Sequence, residues 1–174
     1  NEVFGATRNA WDTDVSAGGS SGGTAVALSQ RMLPVADGSD FMGSLRNPAA
    51  WNHVFGMRPS QGRIPLGPGN DVFLSQLVTE GPMARNVKDL SKLLEIQSGF
   101  DPRLPLSLSS HFHAHESQTK AEDLKDLRIG WLGDLSGHLA TEGGILEICE
   151  QALHRMASAG AIVTPMALGF DTNK

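Results

Sequence analysis

One cysteine, Cys149, stands in the whole of residues 1–174, so no internal disulfide can form. A chain without disulfides fits a reducing compartment, and the cytoplasm is the expected location. Cys149 falls at helical spacing among apolar residues and reads as a buried apolar side chain rather than a nucleophile. No stretch approaches the ~20 apolar residues of a membrane span. No charged-then-apolar leader opens the sequence. A basic excess is also missing. Lys and Arg total 14 against 19 Asp and Glu, for a net charge of −5, which gives no electrostatic reason to expect nucleic acid or an anionic membrane as partner. No internal repeat is visible. Two common motifs are absent as well. The glycine-rich core has no Lys of a phosphate-binding loop, and Arg46 stands where a Gly-x-Ser-x-Gly nucleophile elbow needs its second glycine.

What is present concentrates between Gly18 and Pro48. Gly18-Gly19-Ser20-Ser21-Gly22-Gly23 is followed, after an apolar stretch, by Gly38-Ser39-Asp40-Phe41-Met42-Gly43-Ser44-Leu45-Arg46-Asn47-Pro48. Glycine lets the backbone approach a substrate closely. A serine hydroxyl serves as nucleophile or proton relay once a base activates it. A flexible Gly/Ser linker is the bland alternative for the first segment, and the apolar segments that follow at once, with Trp11 close before it, weigh against it. A helix cap is the bland alternative for Ser44. Asp40 and Arg46, six positions apart across a tight turn, read as a buried, charge-assisted clamp that holds the turn and takes no part in chemistry. His111, His113 and His115 alternate with Phe112 and Ala114 in a polar stretch, which is weak support for a metal site, and none is expected.

Periodicity supplies the elements. A short buried helix is expected over Gly22–Arg31, and a strand covered on both faces over Leu33–Ala36. Asn47-Pro48 reads as N-cap and first residue of a second short helix ending near Trp51. Val54–Met57 reads as another buried strand, and Gln61–Asn70, rich in Gly and Pro, as loop. Asn86 can cap a helix to about Gln97 with Val87, Leu90, Leu93, Leu94 and Ile96 on one face and Gly99 as its stop. Residues 101–120 form a surface connection. Leu127–Leu132, an amphipathic helix through Ile145, Ile148, Cys149, Ala152, Leu153 and Met156, a stop at Gly160, and Ala161–Val163 closed by Pro165 make a βαβ unit. The class is therefore α/β.

The double-serine core and the Asp40–Pro48 motif resemble the signature of the amidase signature family. Gly5-Ala6-Thr7-Arg8-Asn9-Ala10-Trp11-Asp12, the tail Val54 to Pro65, and Glu80-Gly81-Pro82-Met83-Ala84-Arg85 are similar to that family's flanking segments. The resemblance is strong over residues 1–99 and looser beyond. It implies part of a large mixed β-sheet covered by helices on both faces. It implies one partial amidase domain over 1–174, with the signature core at 1–99, a connection at 101–120 and the βαβ-like segment at 127–165. It implies a Ser–cis-Ser–Lys triad with Ser44 as nucleophile, Ser20 as bridging serine behind a cis peptide, and the backbone N–H groups of Phe41, Met42, Gly43 and Ser44 as oxyanion hole. Asp40, Arg46, Gly18 and Gly19 would support the site. The family's lysine precedes the double serine. Lys88, Lys92, Lys120, Lys125 and Lys174 all follow it, so the chain is expected to be an internal piece of a longer amidase that is inactive on its own.

The implied activity is hydrolysis of a small-molecule amide to acid and amine through a serine acyl-enzyme, with no cofactor and with a homodimer left open. Two alternatives stand beside it. Met42 occupies a position where the family usually has Gly, which suits a non-catalytic or partner-dependent binding domain. The other is a subunit of a glutamyl-tRNA amidotransferase. That branch usually has Gln after the motif's Arg and Phe-Cys-Gly further on, and Asn47 and Trp51 argue against it.

Overall fold

A computed structural model describes residues 2–67, 77–114 and 121–167. The chain divides into two compact units, Asn1–Glu116 and Ser117–Lys174. Among the described residues no helix is long and apolar enough to cross a membrane.

The first unit is built on a three-stranded antiparallel sheet. Helix α1 (Gly22–Ser29) leads to β1 (Val35–Asp40), α2 (Arg46–Trp51), β2 (Phe55–Gly56), β3 (Thr79–Ala84) and α3 (Val87–Gln97). Strand β3 lies in the centre, between β1 and β2. In the register Val35 faces Ala84, Gly38 faces Gly81 and Asp40 faces Thr79, while Phe55 faces Ala84 on the other side. Leu45 is fully buried over the two facing glycines. A Cβ on Gly38 would stand 3.0 Å from Leu45 Cδ2, and one on Gly81 would stand 2.7 Å from Leu45 Cδ1. Ala25, Leu28, Leu45, Ala49 and Met83 form the core, with Ala36 and Val54 packed against it.

Several elements differ from their sequence expectation. The strand expected at Leu33–Ala36 starts at Val35 and runs on through Asp37, Gly38 and Ser39 to Asp40. Pro34 has no N–H for a ladder, and backbone pairing with β3 carries the strand through polar residues that no hydrophobic pattern marks. The strand expected at Val54–Met57 shrinks to Phe55–Gly56, with Phe55 and Met57 exposed. Strand β3 carried only a turn-like Gly81-Pro82 in its sequence. Pro82 cannot donate, but its carbonyl accepts from the Met57 N–H at 3.1 Å.

The α3 helix starts where the sequence placed it. The Asn86 side chain accepts from the Asp89 N–H at 2.9 Å. Leu90 and Leu94 are its buried residues, whereas Val87 and Ile96 of the expected face are exposed. Ser98, not Gly99, is its C-cap. The loop expected over 61–70 is irregular through Gly67, and its last three positions lie outside the described residues.

The second unit holds β4 (Arg128–Trp131), α4 (Ile145–Ser158) and β5 (Ile162–Pro165), with a 3-10 turn at Ala121–Leu124 before them. Strands β4 and β5 are parallel, pairing Arg128 with Ile162 and Trp131 with Pro165 across the α4 connection, so the βαβ unit is present. The α4 helix follows the expected apolar period, but none of its residues is fully buried, and Ile145 and Ile148 are exposed. Cys149 is half-buried, not buried as expected.

Candidate functional site

The site grows out of the end of β1. Asp40, the last strand residue, is fully buried. Its Oδ1 accepts from the Gly43 N–H at 2.8 Å, and its Oδ2 accepts from the Leu45 and Arg46 N–H groups at 3.2 and 3.4 Å. Arg46 adds a two-pronged pair, Nε to Oδ2 at 3.0 Å and Nη2 to Oδ1 at 3.1 Å. Arg58 contributes a second cation, with Nε 3.5 Å from Oδ1. The Arg46 guanidinium is the largest influence holding the Asp40 carboxyl well below the usual carboxylate range; the three amides act in the same direction and burial opposes them.

This clamp differs from the expected one in two respects. The carboxylate is buried, but the Arg46 side chain is 56% exposed, so the pair is buried at one end only. The carboxylate also performs the capping expected of Asn47. Helix α2 begins at Arg46, two positions before Pro48, because Asp40 takes the N–H groups at its start. Asn47 instead lies inside the helix, its N–H donating to the Gly43 carbonyl at 2.8 Å. Arg58 was missed because nothing local in its sequence points to a partner 18 residues away.

The turn between Asp40 and α2 carries Ser44, which is half-buried and anchored by its fully buried neighbour Leu45. The left-handed conformation falls on Gly43, at φ 103°, and not on Met42. Met42 is thus accommodated without a strained backbone, and the residue is 80% exposed. Of the four N–H groups named for the oxyanion hole, that of Gly43 is engaged by Asp40. Those of Phe41, Met42 and Ser44 donate to no acceptor among the described residues.

Ser20 sits in the turn that opens α1. The Gly19–Ser20 peptide is cis, Gly18 has φ 73°, and Ser20 itself is exposed. The Ser21 N–H donates to the Ser44 carbonyl at 3.2 Å, which ties the two serine turns directly to each other. Ser21 is buried, and its hydroxyl donates to the Ser39 carbonyl at 3.4 Å. The Trp51 ring covers Gly18, with Cε3 3.1 Å from where a Cβ would stand, and a Cβ on Gly19 would meet nothing within 4 Å.

The histidine stretch lies elsewhere. The His111 and His113 rings are 4.9 Å apart, and His113 Nδ1 is 3.7 Å from Glu95 Oε1; His115 lies outside the described residues. Among the described residues no three His, Cys, Asp or Glu side chains converge as a metal set.

These features define an α/β chain in which two glycine-set serine turns adjoin over a buried carboxylate. The sequence model of the family described as Amidase matches residues 1–169, and the chain belongs to that family. Among curated relatives, a glutamyl-tRNA(Gln) amidotransferase subunit of Sulfurisphaera tokodaii is 38% identical over 167 residues, covering 96% of this chain and 34% of that protein. A bacterial aryl acylamidase of the amidase signature family superposes with a TM-score of 0.82 at 32% identity, over 95% of this chain and 34% of that one. The peptide amidase of Stenotrophomonas maltophilia superposes with a TM-score of 0.79 at 32% identity, over 93% of this chain and 33% of that one. The chain thus spans about a third of the length of the relatives it matches.

Proposed function

We propose that residues 1–174 form one stretch of a single amidase domain and carry the nucleophilic part of an amide-cleaving serine site. The observation that carries this reading is the Ser21–Ser44 backbone bond, which sets the two serine turns side by side. Ser44 Oγ attacks the amide carbonyl and Ser20 passes the departing proton to a base. In the family that base is a lysine, and it has no counterpart among residues 1–174. The N–H groups of Phe41, Met42 and Ser44 stabilise the developing oxyanion; one such donor is typically worth ~10²–10³ in rate. Collapse releases the amine, and water then frees the acid from the acyl-enzyme. Asp40 and Arg46 hold the turn, as Gly18 and Gly19 hold the turn of Ser20. The substrate class is a small-molecule amide, and the cytoplasm is the compartment.

A second reading has support of its own. Several relatives at 36–38% identity are glutamyl-tRNA(Gln) amidotransferase subunits. Asn47 and Trp51 depart from that branch, so free amide hydrolysis is the preferred reading. The negative backbone φ of Met42 speaks against the non-catalytic alternative, since the turn needs no glycine there.

The test uses the intact protein and a fluorophosphonate probe, with the labelled peptide mapped. Label on Ser44, lost in Ser44→Ala together with turnover of aryl amides, supports the reading. Label on another serine overturns it. Turnover that appears only with a partner protein and glutamine favours the amidotransferase.

A further inference from the structure

The side chain that binds the two serine turns into one frame lies in neither of them. Asn52 is fully buried, at the C-cap of α2. Its Nδ2 donates to the Pro48 carbonyl at 2.9 Å and to the Ala17 carbonyl at 2.8 Å. Its Oδ1 faces the Ala10 N–H at 3.5 Å, and its own carbonyl accepts from Trp11 Nε1 at 3.0 Å. Asn9 adds a parallel tie, donating to the Trp51 carbonyl at 2.7 Å. Pro48 belongs to the helix that leaves Ser44. Ala17, itself 1% exposed, is the last residue before the Gly18-Gly19-Ser20 turn. One amide nitrogen therefore fixes the distance between the chain entering Ser20 and the helix leaving Ser44.

We propose that Asn52 is a positioning residue for the Ser20–Ser44 pair, a role that rests on the reading of the two serines given above. The demand is specific. Two carbonyl oxygens converge on one point, so the side chain must offer two donors from a single atom. A carboxylate offers none, and an apolar side chain leaves the Ala17 carbonyl without its donor, while the Pro48 carbonyl keeps the Asn52 backbone N–H at 3.0 Å. Serine proton relay depends on separation, and a misplacement of about 1 Å can cost ~10²-fold in rate. Asn52 touches neither serine, and because the Pro48 carbonyl keeps a backbone donor, its side chain acts through Ala17 on the Ser20 turn.

The test measures the rate of fluorophosphonate labelling of Ser44 in the intact protein, alongside the thermal midpoint. Asn52→Asp is expected to slow labelling about 10²-fold. Leu94→Ala, in the buried face of α3, is expected to lower the midpoint while leaving the labelling rate unchanged. The deciding comparison is the double variant. If Asn52 acts through Ser20, then Ser20→Ala/Asn52→Asp labels no more slowly than Ser20→Ala alone, since residues acting as a unit are non-additive. Should Asn52→Asp fail to fold, Asn52→Ser, which keeps a shorter donor, carries the same comparison. If neither folds, Asn52 is a structural residue and the proposal is overturned. It is also overturned if Asn52→Asp labels at the parental rate, or if its loss multiplies that of Ser20→Ala. If Ser44→Ala still labels, the serine reading itself fails and this proposal falls with it. A blank Ser44→Ala with unaffected Asn52 variants removes the proposal alone.

Discussion

Removing the Asp40 carboxylate should damage the protein far more than removing either of its arginines. The carboxylate is fully buried, and it pairs the N–H groups of Gly43, Leu45 and Arg46 as well as the Arg46 and Arg58 head groups. In Asp40→Ala the amides of Gly43 and Leu45, both buried residues, lose their acceptor. An unsatisfied buried donor costs ~1–3 kcal/mol, and Asp40→Ala leaves two of them. Arg46→Ala is the contrasting case. Its side chain is 56% exposed, and the carboxylate would keep its amides and Arg58, so the loss should be a minor fraction of the Asp40→Ala loss. The assay is the urea midpoint of the intact protein at neutral pH. Equal losses for the two variants, or an Asp40→Ala loss under about 1 kcal/mol, would refute the view that one carboxylate organises the turn.

The same carboxylate sets a pH dependence whose sign follows from its depressed folded pKa. The unfolded chain, titrating near 3.9, binds the proton more readily than the folded one. The contribution is therefore fully present above about pH 4 and is lost as pH falls from there toward the folded value. Asp40→Ala should remove that part of the acid slope.

The other expectations are smaller in scope. Burial first, and then the nearby charge of Asp37, push the Glu80 carboxyl up, so its ionisation costs stability at neutral pH and protonation relieves that cost. Glu80→Gln should accordingly raise the thermal midpoint at pH 7, with the advantage closing below about pH 4; a lowered midpoint at pH 7 would reverse the argument. In Gly81→Ala the new Cβ would stand 2.1 Å from the Met57 carbonyl oxygen, so a loss of at least ~1–3 kcal/mol is expected, and a neutral midpoint would mean β2 is not held against β3 there. Gly23→Ala meets nothing within 4 Å inside α1 and should stabilise by ~0.5–1 kcal/mol, read by the same urea midpoint. Asn86→Ala removes the cap of α3 and should cost ~1 kcal/mol, visible as reduced hydrogen-exchange protection in the first turn.

The sequence alone determined the α/β class, the helices α3 and α4 and the family. Those rest on local rules, namely apolar period, a side-chain cap beside its helix, and motifs whose residues are close in the chain. It also singled out Ser20, Ser44, Asp40 and Arg46, because glycines and paired charges around a hydroxyl are legible within a few positions. Tertiary structure alone decided where β1 begins and that Gly81-Pro82 lies in a central strand. It decided too that Asp40, not Asn47, caps α2, that Arg58 reaches Asp40, and that Asn52 bridges the Ala17 and Pro48 carbonyls. Each of these depends on a partner at least 6 residues away, and the start of β1 depends on Val35 pairing with Ala84. A backbone register, a carboxylate reaching across a turn or an amide between two carbonyls leaves no periodic trace in the chain, because its geometry exists only once the strands have paired and the core has closed over Leu45.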